Sequence, residues 1–291
     1  MTLHLLGRNE IDDELWDYCI SRSTFPSLFA KSWYLDIFTD HQWQGIVEGD
    51  YLSVMPFYKK KKWLIPYISQ PFLCQRGGVF SKVGHFSESS FFYDLLKKQG
   101  YSINLLIRDK LPDQGKCFPK VNHILSLNDE YEKLNEGFNR NTIRNIRFAS
   151  KSGLMIQEEK NPDIILNFLE KNDRSGYVKT YSKMILSLIT KSFELENGFA
   201  IKAAISGNIV SLAYFIEDGG KLYFLLCASD PKGKLTKALY LIINEVIEKF
   251  AGRNVILDFA GSNMESIARR NLGFGASSGI YYNIKWNIFQ F

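Results

Sequence analysis

Hydrophobic and polar positions in the second half of the chain fall into a readable series of elements. Residues 199–206 form a short apolar run, and Gly207-Asn208 supplies the positive-φ residues that a tight hairpin needs. A second run follows at 209–217, then the turn Asp218-Gly219-Gly220, then a third run at 221–228. Links this short predict an antiparallel meander. After the polar loop Ser229-Asp230-Pro231-Lys232-Gly233-Lys234, the residues Leu239, Ile242, Ile243, Val246, Ile247 and Phe250 repeat at helical spacing. Gly252 ends that helix, and 254–260 reads as a buried strand. A helical crossover of this kind returns the chain to a parallel strand. A short helix at 264–271, the turn Gly273-Phe274-Gly275 and a strand at 280–286 complete the half. Upstream lie a helix at 139–152, a strand at 154–158 and helical stretches at 162–173 and 181–194.

The first half repeats this order in a degraded form. A strand at 3–6 precedes helices at 10–22 and 31–39, then strands at 44–48, 52–58 and 63–69. A helix at 88–99 crosses over to a strand at 102–108. Two halves with one element order predict a tandem duplication, although no identity between them is visible. The boundary is expected near 119–128, giving domains 1–125 and 126–291. The fold class expected is α/β (α+β), each domain a mixed, mostly antiparallel sheet flanked by helices.

Composition narrows the picture without naming a function. At 45% hydrophobic and 23% charged residues the chain has the make-up of an ordinary globular protein, so a packed core is expected. A net charge of +5, spread along 291 residues, mildly favours anionic partners but is too small to argue for nucleic acid. The four cysteines are scattered and form no CxxC pair, which fits a reducing compartment and neither a disulfide framework nor a zinc site. The four histidines have no ligand spacing, so no metal site and no Ser-His-Asp order is expected. Residues 1–10 lack the apolar run of a signal peptide, and no stretch approaches the roughly 18 apolar residues of a membrane span. The expectation is a cytoplasmic protein of unspecified oligomeric state.

Four features could carry chemistry. Lys232, Gly233, Lys234 and Thr236 lie where the crossover helix opens: unpaired helix N–H groups attract phosphate, and glycine lets the backbone approach. A solvated, lysine-decorated loop is the alternative. Arg140, Arg144, Arg147 and Lys151 share one helix face, either an anion-binding ridge or a solvated surface. Asp258 sits within an apolar strand, where a carboxylate needs a partner or a task. It is either a general base with a raised pKa or a group that fixes the adjoining turn. Lys59 to Lys62 reads as a hairpin tip whose charges blunt a strand end, with a membrane-surface or steering role as a secondary reading.

The element order, with Asp258-Phe259-Ala260-Gly261-Ser262, Gly273-Phe274-Gly275-Ala276 and the stretch Asn139 to Gly153, resembles the GNAT acyltransferase superfamily. More narrowly, it is similar to the Fem-type branch, which includes peptidoglycan aminoacyltransferases and carries two GNAT-like domains. Val54-Met55-Pro56-Phe57 and Gln75-Arg76-Gly77-Gly78-Val79 sit where that branch has a strand ending in Pro and a Gly-Gly turn. The resemblance implies a bacterial-type N-acyltransferase, taking acetyl-CoA or another acyl-CoA as co-substrate and a small-molecule or peptide amine as acceptor. The phosphate loop is a partial version of the family's basic, glycine-rich run. The helical arm of the tRNA-dependent members has no room between Ile156 and Phe199, so a charged tRNA donor is the less favoured alternative. A non-catalytic binding protein on the same fold is the third. For acyl transfer the implied roles are Asp258 as base and Ser262 or Tyr281 as proton donor to the leaving group. Ordinary packing is the competing role for the tyrosine.

Overall fold

Short alternating runs bounded by turns, and amphipathic helices between them, divide the chain into two units in this computed structural model, which describes residues 2–111, 115–261 and 263–288. One unit runs through Lys120 and takes in the segment from Ile280; the other is Val121–Gly279.

The first unit opens with β1 (Leu3–Gly7), α1 (Asp13–Ser21) and α2 (Ser32–Thr39). Asp12 caps α1 by accepting from the Leu15 N–H, which satisfies one of the donors a helix start leaves unpaired. Then follow β2 (Trp43–Glu48), β3 (Ser53–Lys62), β4 (Ile65–Ser69), the short β5 (Phe80–Ser81), α3 (Ser89–Lys97) and β6 (Ser102–Ile107). β1 to β4 pair in sequence, all antiparallel. The crossover through α3 makes β6 parallel to β4. Lys59 to Lys62 belong to β3 itself, and the hairpin tip is Trp63-Leu64, both at positive φ (52° and 66°). Bulky side chains in that conformation cost about 1–2 kcal/mol each.

The chain enters the second unit along β7 (Lys116–Ser126), a strand the sequence pattern did not indicate. Next come α4 (Tyr131–Glu136), α5 (Arg140–Ser150), β8 (Met155–Glu159), α6 (Pro162–Asn172), α7 (Tyr177–Thr180) and α8 (Ser182–Glu194). The expected meander is β9 (Gly198–Ile205), β10 (Asn208–Asp218) and β11 (Lys221–Ser229), with β8 added antiparallel to β9. The polar loop that follows folds into a short helix, α9 (Pro231–Leu235), because Pro231 suits a first helical position and Asp230 caps it. α10 (Ala238–Phe250) crosses to β12 (Ile256–Asp258), parallel to β11 as expected. Ile242, Ile243, Val246, Ile247 and Phe250 of its stripe are buried in the core of this unit; Leu239, the first of the stripe, is only partly buried. A fully buried side chain of this size contributes roughly 1.5–3 kcal/mol. α11 (Glu265–Gly273) and β13 (Ser277–Asn287) end the described chain.

Each sheet is completed by a strand that sequence order would assign to the other half. In the second unit β12 pairs antiparallel with β7. In the first, β6 pairs antiparallel with β13, from Tyr282↔Ile107 to Asn287↔Ser102. Apart from the short β5, which pairs antiparallel with β3, each sheet therefore has four antiparallel strands, one parallel strand after a helical crossover, and one antiparallel strand beyond it.

Two of the sequence stretches that carry the resemblance meet in the second unit. The Asn139 side chain caps α5 through the Thr142 N–H, and the Asn139 N–H donates to the Gly273 carbonyl at 2.9 Å. A Cβ on Gly273 would lie 2.4 Å from the Thr142 hydroxyl, so only glycine fits this contact between α5 and α11. The Phe138 and Phe274 rings pack edge to face beside it.

Candidate active site in the second unit

The parallel pairing of β11 with β12 covers Lys221↔Ile256, Leu222↔Leu257 and Tyr223↔Asp258, and no more. In the β10–β11 register, Tyr214 faces Leu226 and Phe215 faces Phe224, so Leu225 is an extra residue in β11. Such a bulge bends the strand and raises its twist. Beyond it, β11 has β10 on one side and no partner strand on the other among the described residues. A cleft of about 550 Å³ lies along this part of β11, lined by Cys227, Ala228 and Ser229. The other walls are Gly233, Lys234 and Lys237, then Leu239 and Tyr240 of α10, then Ser266, Ile267 and Arg270 of α11, and finally Leu169 with Asn172 to Ser175 and Val178.

The cleft has an apolar floor and a cationic rim. Arg174, Lys234, Lys237 and Arg270 face a single lining carboxylate, Asp173. Burial alone pushes that carboxyl's pKa up, but hydrogen bonds from the Ser175 hydroxyl (2.6 Å) and the Ser175 and Val178 N–H groups outweigh it and hold the pKa below its usual value. The Asp173 charge is thus spent on its own loop. The half-buried Arg270 donates from Nε and Nη2 to the neutral Asn271 Oδ1 (3.2 and 3.0 Å) and lies 5.4 Å over the Phe224 ring. None of the ion pairs among the described residues involves it. α10 begins at the cleft with Lys237 at φ 59° and no side-chain cap, so the positive end of its dipole is unscreened there.

Of the residues singled out from sequence, Gly233 and Lys234 line this cleft, while Lys232 and Thr236 do not. The Gly233 N–H is already engaged, donating to Asp230 Oδ1 at 2.6 Å, and a Cβ there would lie 2.1 Å from the Val210 carbonyl oxygen. Close packing of α9 on β10 is therefore sufficient reason for this glycine. Thr236 Oγ1 donates to the Lys232 carbonyl. Arg140, Arg144 and Arg147 project from the exposed face of α5, opposite the buried Thr142, Asn145 and Ala149, and pair with no carboxylate among the described residues. Asp258 is buried outside the cleft lining, with Oδ1 accepting from Asn122 Nδ2 (3.1 Å) and the Ala260 N–H (2.9 Å). Asn122 Oδ1 in turn accepts from the Gly261 N–H at 2.7 Å, so the pair fixes the left-handed turn at Ala260 and Gly261. Ser262 lies outside the described residues. Tyr281 is buried in the first unit, on β13. Sequence reasoning missed Lys237, Arg270, Arg174 and Tyr240, and Cys227, expected in the core from its place in the third strand of the meander, is exposed in the cleft. Ser266, Ile267 and Arg270, spaced i, i+1 and i+4 on a short helix, were the available signal for the α11 wall. Among the described residues no cluster of His, Cys, Asp and Glu could hold a metal ion.

The matching gap in the first unit is filled. β4 and β6 part after Ser69↔Asn104, and the chain that follows covers the β6 edge. The Gln70 side chain accepts from the Leu106 N–H at 2.8 Å, and the Gly77 N–H donates to the Leu106 carbonyl. The remaining cavity is about 30 Å³.

Beside Asn122, His123 is buried with Nδ1 unpartnered among the described residues, and burial pushes its pKa below the ordinary value of 6.5. The unfolded chain binds this proton more readily than the folded one, so stability is complete above pH 6.5 and falls as pH drops below it. The slope is at most about 1.4 kcal/mol per pH unit for one group. Chemical denaturation across pH 5 to 8 should show this slope, shallower in His123→Gln.

No protein-family model and no curated protein sequence matches the chain. Solved structures do. FemX superposes with a TM-score of 0.69 at 13% identity, covering 98% of this chain and 97% of that one. L-PGS from Bacillus licheniformis gives 0.59 at 11% identity, over 96% and 93%. A tandem GNAT protein from the clavulanic acid biosynthesis pathway gives 0.54 at 11% identity, over 98% of both. This chain has the GNAT-like fold of the Fem type, with two such domains in tandem.

Proposed function

We propose that the protein is an N-acyltransferase which moves an acyl group from an acyl-CoA-type donor to a small-molecule or peptide amine in the cleft of the second unit. The observation that carries this reading is the parting of β11 and β12, which leaves an open strand edge beside a rim of cations. An extended donor arm would hydrogen-bond to the free side of β11 as an added strand does. Its phosphates would meet Lys234, Lys237, Arg270 and the uncapped start of α10. The amine nitrogen attacks the thioester carbonyl carbon, the C–N bond forms, the C–S bond breaks and the amine proton leaves to water. Tyr240 or Ser266, both residues of the cleft wall, supplies the proton for the departing thiolate. Asp258 acts from a distance, by fixing the turn that leads into α11.

Calorimetric titration of the intact protein with acetyl-CoA, desulfo-CoA and a longer acyl-CoA tests the donor class. Saturable micromolar binding is expected. Cys227 gives a second readout, since it is exposed within the cleft while Cys19 and Cys74 are buried. Bound desulfo-CoA should slow its labelling by a maleimide several-fold. Flat heats with unprotected Cys227 would sink the acyl-CoA reading. The second reading, an aminoacyl group delivered on tRNA, is favoured by the ridge of Arg140, Arg144 and Arg147, which pairs with no carboxylate among the described residues. It predicts aminoacyl-tRNA binding that Arg144→Glu weakens, and no response to any CoA.

A further inference from the structure

The β3–β4 hairpin of the first unit carries a surface that the acyl-transfer reading does not use. Lys62 pairs with Ile65, leaving a two-residue turn whose central residues both hold positive φ. Asn-Gly fills such turns most readily, because a bulky side chain there is strained. Trp63 and Leu64 occupy it instead, 87% and 90% exposed. Two side chains that lose by conformation and again by exposure are accounted for only by something that covers them. The apolar surface continues beyond the turn. The Tyr101 N–H donates to the Pro66 carbonyl at 2.8 Å, the Ile288 N–H donates to the Tyr101 carbonyl at 3.0 Å, and Ile65, Tyr101 and Ile288 are all exposed. Four consecutive lysines, Lys59 to Lys62, stand immediately behind this tip, and none forms an ion pair among the described residues.

We propose that this end of the first unit docks on the surface of an anionic lipid bilayer. Trp63 and Leu64 enter at headgroup depth, where the indole has both an apolar and a wet side, and the lysines lie against lipid phosphates. A bilayer satisfies both features in one geometry. A nucleic acid would use the lysines but leave Leu64 and Ile65 in water. A second copy related by a two-fold axis would bring the two lysine runs together. Each lysine close to an anionic surface adds about a fivefold gain in partitioning.

The test is co-sedimentation of the full chain with vesicles of phosphatidylcholine alone and of phosphatidylcholine mixed with phosphatidylglycerol, at low and high salt. Binding is expected on the anionic vesicles, weakened by salt, with a blue shift of tryptophan emission. The paired substitution Trp63→Asn with Leu64→Gly suits the turn and keeps the hairpin folded, yet it should abolish the shift and lower partitioning at least tenfold. Lys60→Gln with Lys62→Gln should lower it about 25-fold at low salt, two such fivefold losses. The proposal is overturned by equal binding to both vesicles, by binding to neither, or by a paired variant that binds as well as the parent. It is also overturned if that variant changes the protein's mass in solution, or its affinity for RNA, and leaves vesicle binding alone.

Discussion

Arg270→Ala is expected to weaken acetyl-CoA binding by ten- to a hundredfold, while Lys232→Ala changes it by less than about twofold. The difference lies in where each cation is held. Arg270 is half-buried, braced by Asn271 and the Phe224 ring, and its charge is not cancelled by a carboxylate among the described residues. A hydrogen bond from such a group to a phosphate contributes roughly 1.5–3 kcal/mol, which is the fold-change stated. Lys232 stands exposed on the outer side of α9, away from the cleft lining, where a mobile ammonium is largely screened. Arg270→Lys should recover only part of the loss, since a point charge cannot reproduce the planar fork. A thermal melt controls for the lost stacking on Phe224. Equal effects of the two alanine variants would move the phosphates out of the cleft and onto the outer face of α9.

Gly233→Ala is expected to destabilise the protein by about 3 kcal/mol, near the upper end for a forced small-to-large change. The added methyl would sit 2.1 Å from the Val210 oxygen and 2.8 Å from its carbonyl carbon. Both are backbone atoms in a central strand, so the neighbour cannot rotate away and α9 must lift. For a domain of this size the shift in melting temperature is roughly 6–12 °C. Because α9 carries Lys234 into the cleft wall, donor affinity should fall with stability. A variant that melts normally but no longer binds donor would instead show that this glycine serves phosphate and not packing.

How far these features were legible depends on whether their cause was local. The meander, the α10 stripe and the parallel return to β12 followed from runs and turn residues within a few positions of one another. β7 did not, because Pro119 in its middle reads as a boundary and its pairing partner, β12, lies some 130 residues away, as the Asn122–Asp258 separation of 136 shows. The reading of Asp258 turned on the same strand. Its burial is evident from its place in an apolar run, but its partner, Asn122, sits on β7, within the stretch 119–128 where the sequence predicts a domain boundary. The cleft was half visible: Gly233 and Lys234 stood out in a polar loop. Arg270 and Lys237 line one cleft where β11 and β12 stop pairing after Tyr223, which is a matter of register that composition does not record. In the first half the Lys59–Lys62 run was conspicuous. That Trp63 and Leu64, and not the lysines, make the turn required the pairing of Lys62 with Ile65.

The exchange of final strands sets a timetable for synthesis. Asn104 of β6 meets Asn283 of β13 at a sequence separation of 179, so the first sheet made on the ribosome waits with one edge open until β13 has emerged. During that wait the β6 edge is a template for any other extended segment, including the same strand of a neighbouring nascent chain. The second sheet has no such delay, because β7 is synthesised before the strand it joins. The half of the molecule that carries the cleft is thus free to finish first, and the half made first is the last to be sealed.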